Sequence, residues 1–161
     1  MIGYVAVGSN QGERAERLER AFMALAGAGV GVRRVSRLYR TAPAGDASGR
    51  AWFLNGVVEI ASDLPPHTLL RRLRAVERDL GRRRRYPERR KTPRTLDLDL
   101  IVYGRLRMRT PELTLPHPRF AQRAFVLRGM AELAPELRAP GSGDNMRRLL
   151  RRVRADAWKR A

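Results

Sequence analysis

Two aspartates one residue apart, Asp97 and Asp99, open the apolar run of Thr92-Pro-Arg-Thr-Leu-Asp-Leu-Asp-Leu-Ile-Val-Tyr-Gly104. From Thr95 the run alternates and then turns wholly apolar, the pattern of a strand entering a core. Residues two apart on a strand share a face. Asp97 and Asp99 therefore point one way, and Leu96, Leu98 and Leu100 point the other way, into the core. Like charges side by side on one sheet face repel, and a shared cation removes that cost. Magnesium suits the pair, because it takes one or two carboxylates and completes its shell with water and substrate phosphates. Just before the strand lies Arg82-Arg-Arg-Arg-Tyr-Pro-Glu-Arg-Arg-Lys-Thr-Pro-Arg94, a cationic loop whose guanidinium forks fit phosphate oxygens. Carboxylates for a metal beside arginines for phosphate are the parts of phosphoryl transfer. An isolated Asp-x-Asp is more simply two solvated carboxylates on an exposed strand face, so the surroundings decide.

Other residues could serve the same chemistry. Phe53 and Asn55 share one face of a predicted strand from Trp52 to Ile60, with Leu54, Val58 and Ile60 on the other. A ring beside an amide suits a flat heterocycle, stacked by Phe53 and read at its edge by Asn55. The plainer reading of Asn55 is a strand-end amide bonded to backbone. Leu115-Pro-His-Pro118 holds His117 extended between prolines. There it could donate to a phosphate, although a single histidine is more often structural. Arg123 and Phe125 follow on a predicted helix and could lie near the same region.

The elements that must position these residues are legible from periodicity. Gly3 to Val7 reads as a buried strand, and Gly8-Ser9-Asn10 as a turn in which Ser9 or Asn10 can cap a helix. Ala15, Leu18, Phe22 and Leu25 predict a helix from Glu13 to Ala28. Val30 to Arg40 reads as a second strand with a bulge between Val32 and Val35. Thr41 to Arg50 is a loop rich in glycine and alanine that could act as a lid. Leu64-Pro-Pro66 opens a second helix. Its stripe is Leu69, Leu73, Val76 and Leu80, with Glu77 beside it and His67 exposed in its first turn. Arg105 to Glu112 predicts a polar hairpin, Arg119 to Leu133 a helix, and Met146 to Trp158 a last amphipathic helix with Leu149, Leu150 and Val153 inward. Strand, helix, strand, strand, helix, strand is the split βαβ order of a ferredoxin-like α+β fold: an antiparallel sheet with helices on one face, here followed by a C-terminal helical extension.

Composition sets outer bounds. With 161 residues, 43% of them hydrophobic, the chain suits one domain with one core, residues 1–161. It has no cysteine, which excludes disulfide and thiolate chemistry. There is no secretory leader pattern and no apolar run of membrane-span length, so a soluble cytoplasmic protein is expected. A net charge of +18 makes an anionic partner plausible. Only Lys91 and Lys159 are lysines, so arginine fills nearly every basic position and net charge alone says little about function. There is no internal repeat, no Walker-type loop and no His/Cys metal cluster.

Several of these motifs match one family together: Gly8-Ser-Asn10, Phe53-Leu-Asn55, Glu77 with Leu80-Gly-Arg82, Pro93-Arg-Thr-Leu-Asp-Leu-Asp99, and Leu115-Pro-His-Pro118 through Arg123-Ala-Phe125. From about residue 2 to residue 140 the chain resembles the 6-hydroxymethyl-7,8-dihydropterin pyrophosphokinases of folate biosynthesis. The Pro-Arg-Thr-x-Asp-x-Asp block is far more specific to them than Asp-x-Asp alone. The resemblance implies transfer of pyrophosphate from ATP to a dihydropterin hydroxymethyl group, with release of AMP. It implies that Asp97 and Asp99 bind two magnesium ions, and that Arg82 and Arg94 stabilise the moving group. Arg84, His117 and Arg123 would touch ATP, with Glu77, Leu100 and Thr114 at the nucleotide; Arg83 or Arg85 could replace Arg84. Phe53 and Phe125 would sandwich the pterin, and Asn55 with Thr41, Pro43 and Ala44 would read its edge. Pro43 to Arg50 and Arg82 to Thr92 would be closing lids. The enzyme would be a monomer with neither nucleic acid nor membrane as partner. Four positions depart from the pattern. Lys91 stands where an aromatic residue is common, Arg74 where a glutamine can contact adenine, Ala42 for a frequent proline and Phe53 for a frequent tyrosine. The alternative reading is a basic RNA-binding module on the same fold. Against it stand an aromatic content of 6% and two aspartates that would repel a phosphate backbone.

Overall fold

The computed structural model describes residues 1–10, 13–41, 52–81 and 96–153, and the backbone of 158–160. In chain order the elements are β1 (Ile2–Ser9), α1 (Arg14–Gly27), β2 (Gly31–Val35), β3 (Tyr39–Thr41), β4 (Phe53–Ala61), α2 (Pro66–Asp79) and β5 (Asp97–Tyr103). A small hairpin follows, of β6 (Met108–Arg109) and β7 (Thr114–Leu115). Then come a 3₁₀ turn (Phe120–Gln122), α3 (Ala124–Leu133), α4 (Met146–Arg152) and β8 (Trp158–Arg160). The main sheet runs β5-β1-β4-β3-β8, and β2 pairs with the other half of β4. Every pairing is antiparallel. With β2 and β3 counted as one broken strand, this is the ferredoxin-like order, and α1 and α2 are its two crossovers.

Burial follows the two-residue period of the strands. Val5, Val7, Val58, Ile60, Leu96, Leu98 and Leu100 point to one face, where Leu18 and Leu25 of α1 and Leu69, Leu73 and Val76 of α2 cover them. Each such leucine removed from water contributes about 2 kcal/mol before chain entropy is counted. Tyr4, Ala6, Val57, Ile101 and Val102 point to the other face, beneath Val126, Leu127 and Met130 of α3 and Met146 of α4. Helices therefore cover both faces, not one. The reason lies in the sequence of β1 and β4, which is apolar on both parities and needs two covers.

Further expectations are corrected. The strand predicted over Val30 to Arg40 is two strands. The Ser36 hydroxyl takes the Val57 amide at 2.9 Å and donates to the Arg37 carbonyl, which interrupts the ladder. The expected bulge lies between Val32 and Arg34. The predicted helix Arg119 to Leu133 is broken at Arg123, whose extended backbone (φ −102°, ψ 102°) separates the 3₁₀ turn from α3. The last helix stops at Arg152, and Trp158–Arg160 pairs with β3 instead. The polar hairpin is present, displaced to β6 and β7. The first helix has Glu13 at its N-cap, while Ser9 ends β1 and is fully buried. Among the described residues no helix is long and apolar enough to cross a membrane.

Candidate functional site

Register brings the candidate residues onto one face of the sheet. Gly8 of β1 pairs with Asn55 of β4 on one side and with Asp97 of β5 on the other; Ala6 likewise lies between Val57 and Asp99. Directly paired residues of antiparallel strands project the same way. Phe53, Asn55, Asp97 and Asp99 thus share the face that α3 covers further along. Asn55 and Asp97 are two strands apart, roughly 10 Å. Gly8 carries no side chain between them, and the gap is obligatory: a Cβ there would lie 2.2 Å from Asn55 Oδ1.

Asn55 is 7% exposed, and its Nδ2 donates to Thr41 Oγ1 at 2.6 Å. Thr41 pairs with Phe53 across β3 and β4. The hydroxyl orients the amide and leaves Oδ1 on the Gly8 side, so Asn55 is held by a neighbouring side chain. Phe125 stands in the first turn of α3, partly buried against the apolar cluster of that face.

Asp97 and Asp99 line a cavity of about 340 Å³ together with Leu100, Thr114, His117 and Arg123. Arg123 Nη1 donates to Asp99 Oδ2 at 2.7 Å, with both side chains about a quarter exposed (23% and 31%). The break in the helix at Arg123 is what turns that guanidinium toward β5. His117 is placed by a bulge in β5. Tyr4 pairs with Val102 and Val5 with Leu100, so Ile101 has no partner on β1, and its carbonyl accepts the His117 amide at 2.8 Å. His117 Nδ1 accepts the Arg119 amide at 3.2 Å. The ring proton therefore belongs on Nε2. Burial pushes the imidazole pKa below its ordinary value, against the pull of Asp99 and with the help of Arg123 and Arg119, so the neutral donor form prevails near pH 7.

Glu77, expected beside the nucleotide, bonds the backbone of β5. It is 1% exposed, is absent from the cavity wall, and its Oε1 accepts the Leu98 amide at 2.8 Å. Leu98 lies between the two aspartates on the outermost strand of the sheet. Pro43, Ala44, Arg82, Arg84 and Arg94 lie outside the described residues. The sequence reading missed Thr110 and Arg119, which also line the cavity, and the Ile101 bulge. Thr110 and Arg119 flank recognised motifs and were findable; the bulge depends on register with a strand almost a hundred residues away and left no local signal.

Two carboxylates on one strand face, half-exposed at a cavity with a histidine donor and an arginine, fit a hard divalent ion that keeps sites open for phosphate oxygens. Among the described residues no group of three or more His, Cys, Asp or Glu side chains could enclose a metal alone.

Residues 4–135 match the family model of 7,8-dihydro-6-hydroxymethylpterin-pyrophosphokinase. The chain is 42% identical over 137 residues to the 2-amino-4-hydroxy-6-hydroxymethyldihydropteridine pyrophosphokinase of Bacillus subtilis, covering 84% of this chain and 80% of that protein. It is 43% identical over 136 residues to the protein of the same name from Methylorubrum extorquens, covering 83% of each. A mitochondrial folate synthesis bifunctional protein of Arabidopsis thaliana is 39% identical over 131 residues, 80% of this chain and 23% of that one. Among solved structures, wild-type Plasmodium falciparum HPPK-DHPS with pteroate superposes with a TM-score of 0.73 at 12% identity. The match takes in 93% of this chain and 42% of that longer one.

Proposed function

Because this chain belongs to the 7,8-dihydro-6-hydroxymethylpterin-pyrophosphokinase family, we propose that it transfers the pyrophosphoryl group of ATP to 6-hydroxymethyl-7,8-dihydropterin in folate biosynthesis. The observation that carries the site assignment is the shared row Asn55–Gly8–Asp97. It sets a heterocycle-reading amide beside a metal-ligand carboxylate, on one face, with an empty step between.

Phe53 and Phe125 stack the pterin, and Asn55, Thr41, Pro43 and Ala44 meet its polar edge. Asp97 and Asp99 hold magnesium, two ions in this reading. When bound, magnesium would supply charge neutralisation along the triphosphate. Arg123 and the Nε2–H of His117 face the same oxygens. Since Glu77 takes the Leu98 amide from outside the sheet, the strand period turns the Leu100 amide outward too. That amide, with Thr114, reads the nucleotide base. Arg82 and Arg94 stabilise the transferring group, and Arg84 contacts ATP.

In the reaction a bond forms between the hydroxymethyl oxygen and the β-phosphorus while the β-phosphorus to α-phosphate oxygen bond breaks. AMP leaves and the hydroxyl proton is released. Little covalent work falls to the protein: positioning alone can supply about 7–11 kcal/mol, and aligned donors stabilise the developing charge. The whole chain acts as one domain, a monomer of the cytoplasm that needs no nucleic acid or membrane. The RNA-binding alternative gains no support from the family matches.

The test is AMP formation by the purified chain. AMP appears only when ATP, magnesium and the hydroxymethyl-dihydropterin are all present, and Asp97→Ala lowers turnover about a thousandfold with the circular dichroism spectrum unchanged. No pterin-dependent AMP from the wild type would refute the activity. A folded Asp97→Ala variant turning over at near-normal rate would refute the metal assignment.

A further inference from the structure

α3 carries a carboxylate that this chemistry does not use. Glu132, in its last turn, accepts the Arg37 backbone amide at 3.2 and 3.3 Å through its two oxygens. It also accepts the Tyr39 hydroxyl at 3.0 Å, and the Arg37 guanidinium lies 3.9 Å away. Tyr39 is 2% exposed, and Arg128, one turn earlier on α3, sits 5.3 Å from its ring centroid. Tyr39 is the cross-strand partner of Asn55, and Thr41, two residues on, holds the Asn55 amide. α3 also touches the sheet at Gly129, where a Cβ would lie 2.6 Å from Val57 Cγ2. The helix that carries Phe125 is thus fastened to the strands that carry Phe53, Asn55 and Thr41 by a close backbone approach, by the Glu132 carboxylate and by the Arg128–Tyr39 contact, besides apolar packing.

We propose that Glu132 is a positioning residue for the pterin subsite: by tying α3 to β3 it sets the width of the slot between Phe125 and Phe53 and the register of Thr41 against Asn55. This rests on the functional reading above. β3 has only three residues, so few ladder bonds oppose a shift along or away from β4. Hydrogen bonds to a charged acceptor are stronger than neutral ones, and this one joins the last turn of α3 to Tyr39 of β3. Glu132 is not part of the cavity wall formed by Asp97, Asp99 and His117, so the nucleotide end does not depend on it.

The experiment is calorimetric titration of 6-hydroxymethyl-7,8-dihydropterin into the full chain preloaded with magnesium and a non-hydrolysable ATP analogue, well below the unfolding temperature of each variant. Glu132→Ala weakens pterin binding about tenfold, the scale of one hydrogen bond to a charged group. Glu132→Gln, which can still accept from the Arg37 amide and the Tyr39 hydroxyl, stays within about threefold of wild type, and Tyr39→Phe falls between. Affinity for the ATP analogue stays within about twofold throughout, a selectivity that general loosening of the fold would not produce. Should Glu132→Ala fail to fold, Tyr39→Phe, which keeps the ring, decides by the same measurement. Unchanged pterin affinity in the folded variants, or equal losses for pterin and nucleotide, overturns the positioning role alone. A wild-type protein that takes up nucleotide but no pterin overturns it together with the functional reading.

Discussion

Gly8 does its work by having no side chain. It stands in β1 between Asn55 and Asp97, and the ideal Cβ of an alanine would come within 2.2 Å of Asn55 Oδ1. Asn55 cannot step aside cheaply, because it is buried and its Nδ2 is held by Thr41. Overpacking of this kind costs about 1–3 kcal/mol. Gly8→Ala should lower the unfolding free energy by that amount in urea melts, and should weaken pterin binding much more than ATP binding. A variant of wild-type stability and wild-type pterin affinity would show that the row is not crowded. The sequence reads Gly8 as the start of a Gly-Ser-Asn turn, whereas it lies inside β1, paired on both sides; that a glycine stands there is readable locally. Its role as a gap is not, because the gap exists only once β4 is in register. The same holds for Asn55: its face was legible from the strand period, its partner Thr41 was not.

Among the elements, β5 carries both candidate metal-ligand aspartates and stands at an end of the sheet order. An outer strand has amides with no ladder partner, and these must find acceptors elsewhere. Glu77 of α2 meets this need at Leu98, between Asp97 and Asp99. A helix that packs as a crossover thereby also fixes the backbone from which the two aspartates project. Glu77→Gln keeps an acceptor oxygen and should retain most activity. Glu77→Ala leaves a buried amide unpaired, worth about 1–3 kcal/mol of stability, and should raise the magnesium concentration for half-maximal AMP formation about tenfold. A magnesium titration identical to wild type in a folded Glu77→Ala protein would rule out this support. Element identity was largely legible: the stripe Leu69, Leu73, Val76, Leu80 gave α2 and placed Glu77 beside the core. What failed was set by distant partners. Ser36 breaks a strand because it reaches Val57, and the chain near Trp158 is a strand because β3 lies beside it. Neither fact is encoded within a few residues of where it acts.

At the scale of the molecule, one sheet separates two apolar clusters, and the α3 side is the one that must also stay open at one end for substrates. Its closed end is stitched by Glu59, 5% exposed, in the middle strand β4. Tyr4 of β1 donates to it at 3.1 Å, Arg33 and Arg34 of β2 pair with it, and Arg34 Nη2 also reaches the Leu133 carbonyl at the end of α3. Burial first, and then the bond to Glu59, pushes the Tyr4 phenol up to about 12, so it remains a donor throughout the neutral range. The hydrogen bond from Arg34, foremost, holds the Glu59 carboxyl below its ordinary pKa, outweighing the opposing effect of burial. A carboxyl depressed in the folded state contributes stability that is present above its unfolded-state pKa and is lost as pH falls through the lower folded-state value. Glu59→Ala, which strands the buried Tyr4 hydroxyl, should therefore cost about 1–3 kcal/mol in urea melts at pH 7. The gap between wild type and variant should shrink by about pH 3, where carboxylates take up protons. A gap of the same size at both pH values would mean that shape, not charge, is what Glu59 contributes to the closed end of the sheet.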